Sequence, residues 1–263
     1  MYVVIVNFKM TTSRFKSALV AAGVHFSVSL VVAVLAAWMV FGLWYPYPYS
    51  EISGGKGLFF LVVLVDVVCG PLLTLVIFNP VKPRRELIVD FFVIGLLQFV
   101  ALGYGLWAVF SARPVHLVFE YHRIAVVNAA DVDAMALAQA PPALQVLPLK
   151  GPTLLSLRSF KDGKEQYEST MLALGGIPQA AQPMLWQPWE AAHAQILSGS
   201  RPVADLKQRF GTQIASINKA IAATGRPADN LRYLPLMARQ EGWTVLIDAQ
   251  TIKPVGFMQL DSF

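Results

Sequence analysis

Apolar positions along the chain fall into two regimes, with the change at about residue 112. Before it, three nearly unbroken apolar runs, Ala18 to Leu43, Gly57 to Asn79 and Leu87 to Phe110, are separated by short polar stretches. Runs of this length span a bilayer as helices: Leu58 to Phe78 at ~1.5 Å per residue makes about 31 Å, against a hydrocarbon core of ~30 Å. After it, apolar residues come in short, turn-bounded stretches. Val115-His-Leu-Val-Phe-Glu-Tyr-His-Arg-Ile-Ala-Val-Val alternates roughly and is rich in β-branched and aromatic residues, so it predicts one or two strands. Further strands are expected at 144–148, 153–157, 231–236, 243–248 and 255–260, the last two joined by the turn Asp248-Ala-Gln-Thr. Helices are expected over 131–140, 162–174, 188–197, 202–210 and 212–223, with Pro141-Pro142, Gly175-Gly176 and Gly225 as stops. That order predicts an α+β domain with an antiparallel sheet over 113–263, following a cytoplasmic segment 1–17 and a three-helix membrane region 18–112.

Composition supports the division. The 263 residues are 56% hydrophobic and 14% charged, with a mean hydropathy of +0.53, too apolar for a soluble chain of this size. The net charge of +5 gives no nucleic-acid footprint, because the tightest basic cluster, Lys82, Arg84 and Arg85, sits beside a span and reads as topology. Lys and Arg collect before the first span and between the second and third. The positive-inside rule therefore puts both segments in the cytoplasm and, after three crossings, residue 113 onward outside it, in a bacterium the periplasm. Met10-Thr-Thr-Ser-Arg-Phe-Lys has the form of a basic start before an apolar segment, and no small-residue cleavage pattern follows the first span, which reads as retained. Trp38, Trp44, Tyr45, Tyr47 and Tyr49 gather at its far end, where amphipathic rings favour a membrane interface. The single cysteine, Cys69, excludes an intramolecular disulfide.

Within the spans the informative residues are polar. Asp66 stands near the middle of the second run, four residues before Gly70-Pro71, which removes a backbone donor and predicts a kink. A carboxylate there costs about 2.5–3.5 kcal/mol on insertion scales and so faces other helices or a wet cavity. Counting from the cytoplasmic boundary at ~1.5 Å per residue puts Asp66 at roughly 18 Å, Gln98 at roughly 15 Å and His25 at about 10 Å, with Asp90 a few Å inside. Asp66 and Gln98 are thus expected to meet, as structural glue or as a working site. His25 reads as packed with one partner and Asp90 as an interfacial helix-start residue.

The soluble half offers little for catalysis. His116 and His122 share a strand face without a cysteine or carboxylate cluster at metal-ligand spacing, and no nucleophile-elbow, zinc or phosphate-loop motif occurs. Glu120 beside Arg123 reads as the solvated face of a strand. Met184-Leu-Trp-Gln-Pro-Trp189 reads as core or as a docking seam. No cofactor, metal or enzymatic activity is expected.

Asp66-Val-Val-Cys-Gly-Pro-Leu-Leu-Thr-Leu, Phe78-Asn-Pro-Val-Lys-Pro-Arg-Arg-Glu-Leu-Ile-Val-Asp90, Gln98, Tyr104-Gly-Leu-Trp and Ala112-Arg-Pro-Val-His-Leu-Val-Phe-Glu together resemble the type IV pilin accessory proteins of the TfpX/TfpZ kind. The chain departs from that pattern at His122, where an acid commonly precedes the Arg. The resemblance implies an inner-membrane factor, not an enzyme, that assists pilus assembly or dynamics with its major pilin, in the lipid bilayer and beside other pilus assembly proteins. Partner-contact candidates are Asp66, Asp90, Gln98, His25, Arg113, Glu120 and Arg123. The alternatives left by the residues are a small membrane enzyme or transporter using Asp66, and a periplasmic ligand sensor.

Overall fold

The computed structural model describes residues 12–238 and 242–263, and the Met10 start lies outside them. The chain divides into two compact units. One takes in the residues up to Met39 together with Gly57–Val109, the other Val40–Lys56 together with Phe110–Phe263.

The helical unit is built from α1 (Thr12–Met39), α3 (Gly55–Leu64), α4 (Gly70–Ile77) and α5 (Arg84–Ser111); the one-turn helix α2 (Tyr49–Ile52), in the connection after α1, belongs to the other unit. Three helical stretches, Arg14–Trp44, Gly55–Ile77 and Arg84–Ser111, are long and apolar enough to cross a membrane. The first and third helices begin three to six residues before the apolar runs, since hydropathy marks where a helix is greasy and not where its hydrogen bonds start. Along α1 the buried positions are small, Ala18, Ala22, Ser29, Ala33 and Ala36, the spacing of one face. Small side chains let helix backbones approach closely where lipid supplies no hydrophobic drive. The kink expected at Pro71 takes the form of a π-helical turn, Val65–Cys69, between α3 and α4.

The second unit is an α+β domain around one sheet in the order β4-β3-β1-β2-β6-β7-β8, with β5 beside β6. Its strands are β1 (Pro114–Glu120), β2 (Arg123–Asn128), β3 (Thr153–Leu157), β4 (Trp186–Pro188), β5 (Arg201–Pro202), β6 (Leu231–Met237), β7 (Gly242–Asp248) and β8 (Pro254–Met258). Most pairs are antiparallel, as expected, but β1–β3 and β2–β6 are parallel. Both parallel pairs join strands separated by long connections, whereas tight turns can link only antiparallel neighbours. The helices are α6 (Gly163–Leu174), capped by the Asp162 carboxylate, α7 (His193–Gly199), α8 (Val203–Arg209) and α9 (Ile214–Ala223).

The sheet is covered on both faces. Leu117, Phe119, Ile124, Val245 and Ile247 meet Trp189, Ala192 and Ile196 on one side, while Val118, Ala125 and Leu155 meet Ala180, Ala181 and Trp186 on the other. Leu231, Tyr233 and Leu246 pack under α8 and α9. All seven residues of β1 are buried, so Glu120 does not lie on a solvated face. A strand central to a two-sided sheet loses the in-out alternation on which that expectation rested. The region 131–140 forms short 3-10 turns, Ala129–Asp131 and Ala136–Gln139, instead of an α-helix, and 144–148 is not a strand. Asp131 there closes a capping box with Asn128, and Pro141 and Pro142 stop the chain a few residues on, leaving no room for three helical turns.

Residues 40–56 belong to this domain. Ile52 sits in the same core cluster as Leu117 and Trp189, Tyr49 stacks edge-on against Phe257 at 5.6 Å, and Gly151 N–H donates to the Leu43 carbonyl at 2.9 Å. Tyr45 is buried and Tyr49 partly so, whereas Trp38 and Tyr47 are exposed. Only part of the aromatic cluster therefore has the exposure of an interfacial belt.

Candidate functional site

The polar residues of the spans come together in one hydrogen-bonded chain. Gln98 on α5 donates from Nε2 to the Asp66 carbonyl oxygen at 3.0 Å and to Asp66 Oδ1 at 3.3 Å. Its Oε1 lies 2.6 Å from His25 Nε2 on α1, and His25 Nδ1 lies 2.6 Å from Thr74 Oγ1 on α4. Because Nε2 of the amide faces a carbonyl, which only accepts, Oε1 must accept from the imidazole. A ring with one proton therefore carries it on Nε2 and takes the Thr74 hydroxyl proton at Nδ1. Asp66 and Thr74 are buried within an otherwise apolar bundle.

The expected meeting of Asp66 and Gln98 is present, and the expectation for His25 is corrected, since it has two partners. Equal depth is not required for contact. Thr74 lies about 12 Å beyond Asp66 along the helix at ~1.5 Å per residue, and the chain steps down through the reach of Gln98 and then of the His25 ring. Three sequence segments are tied by one amide.

Local backbone chemistry prepares this seat. In π register a carbonyl pairs with the N–H five residues on, which for Asp66 is Pro71, and proline has none. That leaves the Asp66 carbonyl for Gln98. The adjacent Gly70 opens the space: a Cβ there would stand 1.9 Å from Gln98 Nε2. Gly105 admits Val62 in the same way, with 2.7 Å to its methyls. Gly70 thus does more than contribute to the expected kink, and its spacing of four from Asp66, one helical turn, is the signal that marks it.

The remaining candidates sit elsewhere. Asp90 accepts from Lys82 Nζ at 2.6 Å in a half-exposed ion pair near the start of α5. Arg113 is buried, donates from Nη1 to the Phe110 carbonyl at 2.8 Å and stacks on the Phe110 ring at 3.7 Å. Glu120, at the end of β1, accepts through Oε2 from Arg123 Nε at 3.0 Å and Nη2 at 2.9 Å across the two-residue turn Tyr121-His122. His116 is buried, bonded through Nδ1 to Thr153 Oγ1 at 2.8 Å and edge-on to Trp186, while His122 is exposed in the turn. Burial pushes the His116 imidazole down to about 4. Among the described residues no group of three His, Cys, Asp or Glu side chains could hold a metal ion. Trp186 and Trp189 are fully buried, each indole N–H held by a backbone carbonyl, so Met184–Trp189 is core rather than a docking seam.

Three membrane-length helices laced by a buried polar chain, together with an α+β domain that takes in the first interhelical loop, define a membrane-associated protein with a small helical bundle. Residues 13–54 match the family model of the fimbrial assembly protein FimB. The chain is 35% identical over 256 residues to the fimbrial assembly protein of serogroup I of Dichelobacter nodosus, covering 97% of this chain and 99% of that protein. It is 33% identical to the serogroup E1 protein of the same organism over the same span, and 44% identical over 131 residues to that of serogroups C1 and C2, which covers half of this chain. The chain belongs to the fimbrial assembly protein family. No solved structure matches it.

Proposed function

We propose that this protein is an inner-membrane accessory factor of the type IV pilin accessory kind, which binds its cognate major pilin during pilus assembly and acts by binding alone, without covalent chemistry. The observation that carries the reading is the Thr74–His25–Gln98–Asp66 chain inside an apolar bundle of a fimbrial assembly protein. A polar seam suits a pilin helix, itself an apolar segment marked by a polar residue, because an unsatisfied polar group in hydrocarbon is expensive and is drawn to any partner at its depth. The domain after the third span faces the periplasm in this reading and holds the pilin's soluble part. What supports it is that Ile52 shares a core with Leu117 and Trp189, the association of residues 40–56 with 113–263 that a path with three crossings requires. Photo-crosslinkers placed on α1, α4 and α5 in cells producing the cognate pilin are expected to capture it. Capture by the soluble domain alone would reduce the spans to an anchor and overturn the membrane part of the reading.

A further inference from the structure

A second site lies in the α+β domain, where the sheet is interrupted. On one edge of β6, β5 pairs with Arg232 and Tyr233, while β2 pairs with Leu236 and Met237. Leu234 and Pro235, between them, have no strand on that edge. The resulting notch opens into a cavity of about 700 Å³, walled by Tyr121, Tyr233 and Pro235 and by three guanidinium groups, Arg123, Arg201 and Arg209.

The three arginines are not equally committed. Arg209 is held by the main-chain oxygens of Ser262 and Phe263, at 3.3 and 3.1 Å. Arg123 uses Nε and Nη2 on Glu120 and keeps its Nη1 edge free, and the guanidinium of Arg201, exposed on β5, has no hydrogen bond or ion pair among the described residues. Glu120 is the one acidic side chain in the lining, and Arg123 already uses it. Three arginine side chains against one acidic side chain make the lining net positive around a concave space. A guanidinium presents a planar fork that matches a carboxylate in bidentate geometry. Tyrosine and proline walls add apolar area that a bare inorganic anion cannot use and a peptide can. Pro235 brings no N–H to either edge, so a full β-ladder with an added strand is blocked and recognition falls to side chains.

We propose that this notch binds a short carboxylate-bearing peptide segment of a partner protein, with Arg201 and the free edge of Arg123 as the anion contacts and Tyr121 and Pro235 as the packing surface. The site operates whichever helix the spans hold, so it stands or falls separately from the membrane reading.

The test uses the full chain in lipid nanodiscs and a fluorescein-labelled peptide, Gly-Glu-Tyr-Glu-Glu-Gly, beside its amide twin Gly-Gln-Tyr-Gln-Gln-Gly. The acidic peptide is expected to bind measurably tighter than the twin and to weaken as salt rises. Arg201→Gln, which breaks no bond within the protein, is expected to weaken it about fivefold, and Arg201→Glu more, with unchanged thermal unfolding. Arg123→Gln leaves Glu120 buried without its partner and is the less clean variant. Equal binding of the two peptides, or indifference to both Arg201 substitutions, overturns the proposal. Displacement of the acidic peptide by an equal concentration of inorganic phosphate assigns a simple anion site and overturns it as well.

Discussion

At the scale of single residues, the bundle is organised by Gln98 more than by Asp66. Asp66 meets Gln98 through its backbone carbonyl as well as its carboxylate, and a side-chain substitution cannot remove the carbonyl. Asp66→Asn is therefore predicted to leave protein level nearly unchanged. Gln98→Leu loses its bonds to both His25 and Asp66, at about 0.6 kcal/mol each, and strands His25 Nε2–H; a loss of about 1–3 kcal/mol is expected. Gly70→Ala should reproduce Gln98→Leu, because the added methyl occupies the amide's place. Unfolding of the three variants in mild detergent checks the order, and an Asp66→Asn defect larger than that of Gln98→Leu would show that the charge itself matters. His116 supplies a second residue-scale prediction. Its folded pKa of about 4 lies below the ~6.5 of the unfolded chain. Between those values the unfolded state binds the extra proton, so stability is complete above pH ~6.5 and erodes by up to about 3 kcal/mol as pH falls towards 4. His116→Asn keeps a donor for Thr153 and should flatten this acid limb, read by tryptophan fluorescence.

At the scale of elements, the β7–β8 hairpin depends on one carboxylate. Asp248 Oδ1 accepts from the N–H groups of Gln250 and Thr251, and Oδ2 meets Arg226 at 3.2 Å. The Thr251 and Gln250 N–H bonds and Arg226 together hold its pKa below the usual carboxylate range despite burial. This contribution is present above the unfolded pKa of ~3.9 and is lost as pH falls below it, under the window of His116. Asp248→Ala orphans two turn donors and is predicted to cost about 1–3 kcal/mol, measured as a shift in the denaturant midpoint with unchanged slope. The second span shows the same dependence of an element on one residue, since Pro71 makes the π turn that frees the Asp66 carbonyl.

At the scale of the whole molecule, the domain is not continuous in sequence. A fragment of residues 113–263 lacks Ile52 and Tyr49, which pack against Trp189 and Phe257, so it should unfold at a lower temperature than a version with residues 40–56 joined by a flexible linker. Equal thermal midpoints would show that the loop only decorates the core. A reporter active only outside the cytoplasm, fused after Phe263, should be active if the chain crosses three times with a cytoplasmic start. Activity of a cytoplasmic reporter at that position would reverse the topology.

What sequence alone determined follows from properties that are local or cumulative. Three apolar runs long enough to span, the basic loop between two of them, the strands at 153–157, 231–236 and 243–248 and the Asp162-capped helix are legible because hydropathy, charge and capping act within a few residues. Asp66 and Gln98 could be paired by counting rise per residue along helices of known length. Tertiary structure decided whatever depends on which face meets which. It put Glu120 inside a strand buried on both sides, brought His25 to Gln98 and Thr74 by side-chain reach, drew the first interhelical loop into a core 65 residues away in sequence, the separation of Ile52 from Leu117, and opened the arginine notch between β2 and β5. Packing between distant segments leaves no periodic mark in either one, and so it is read only when both are seen together.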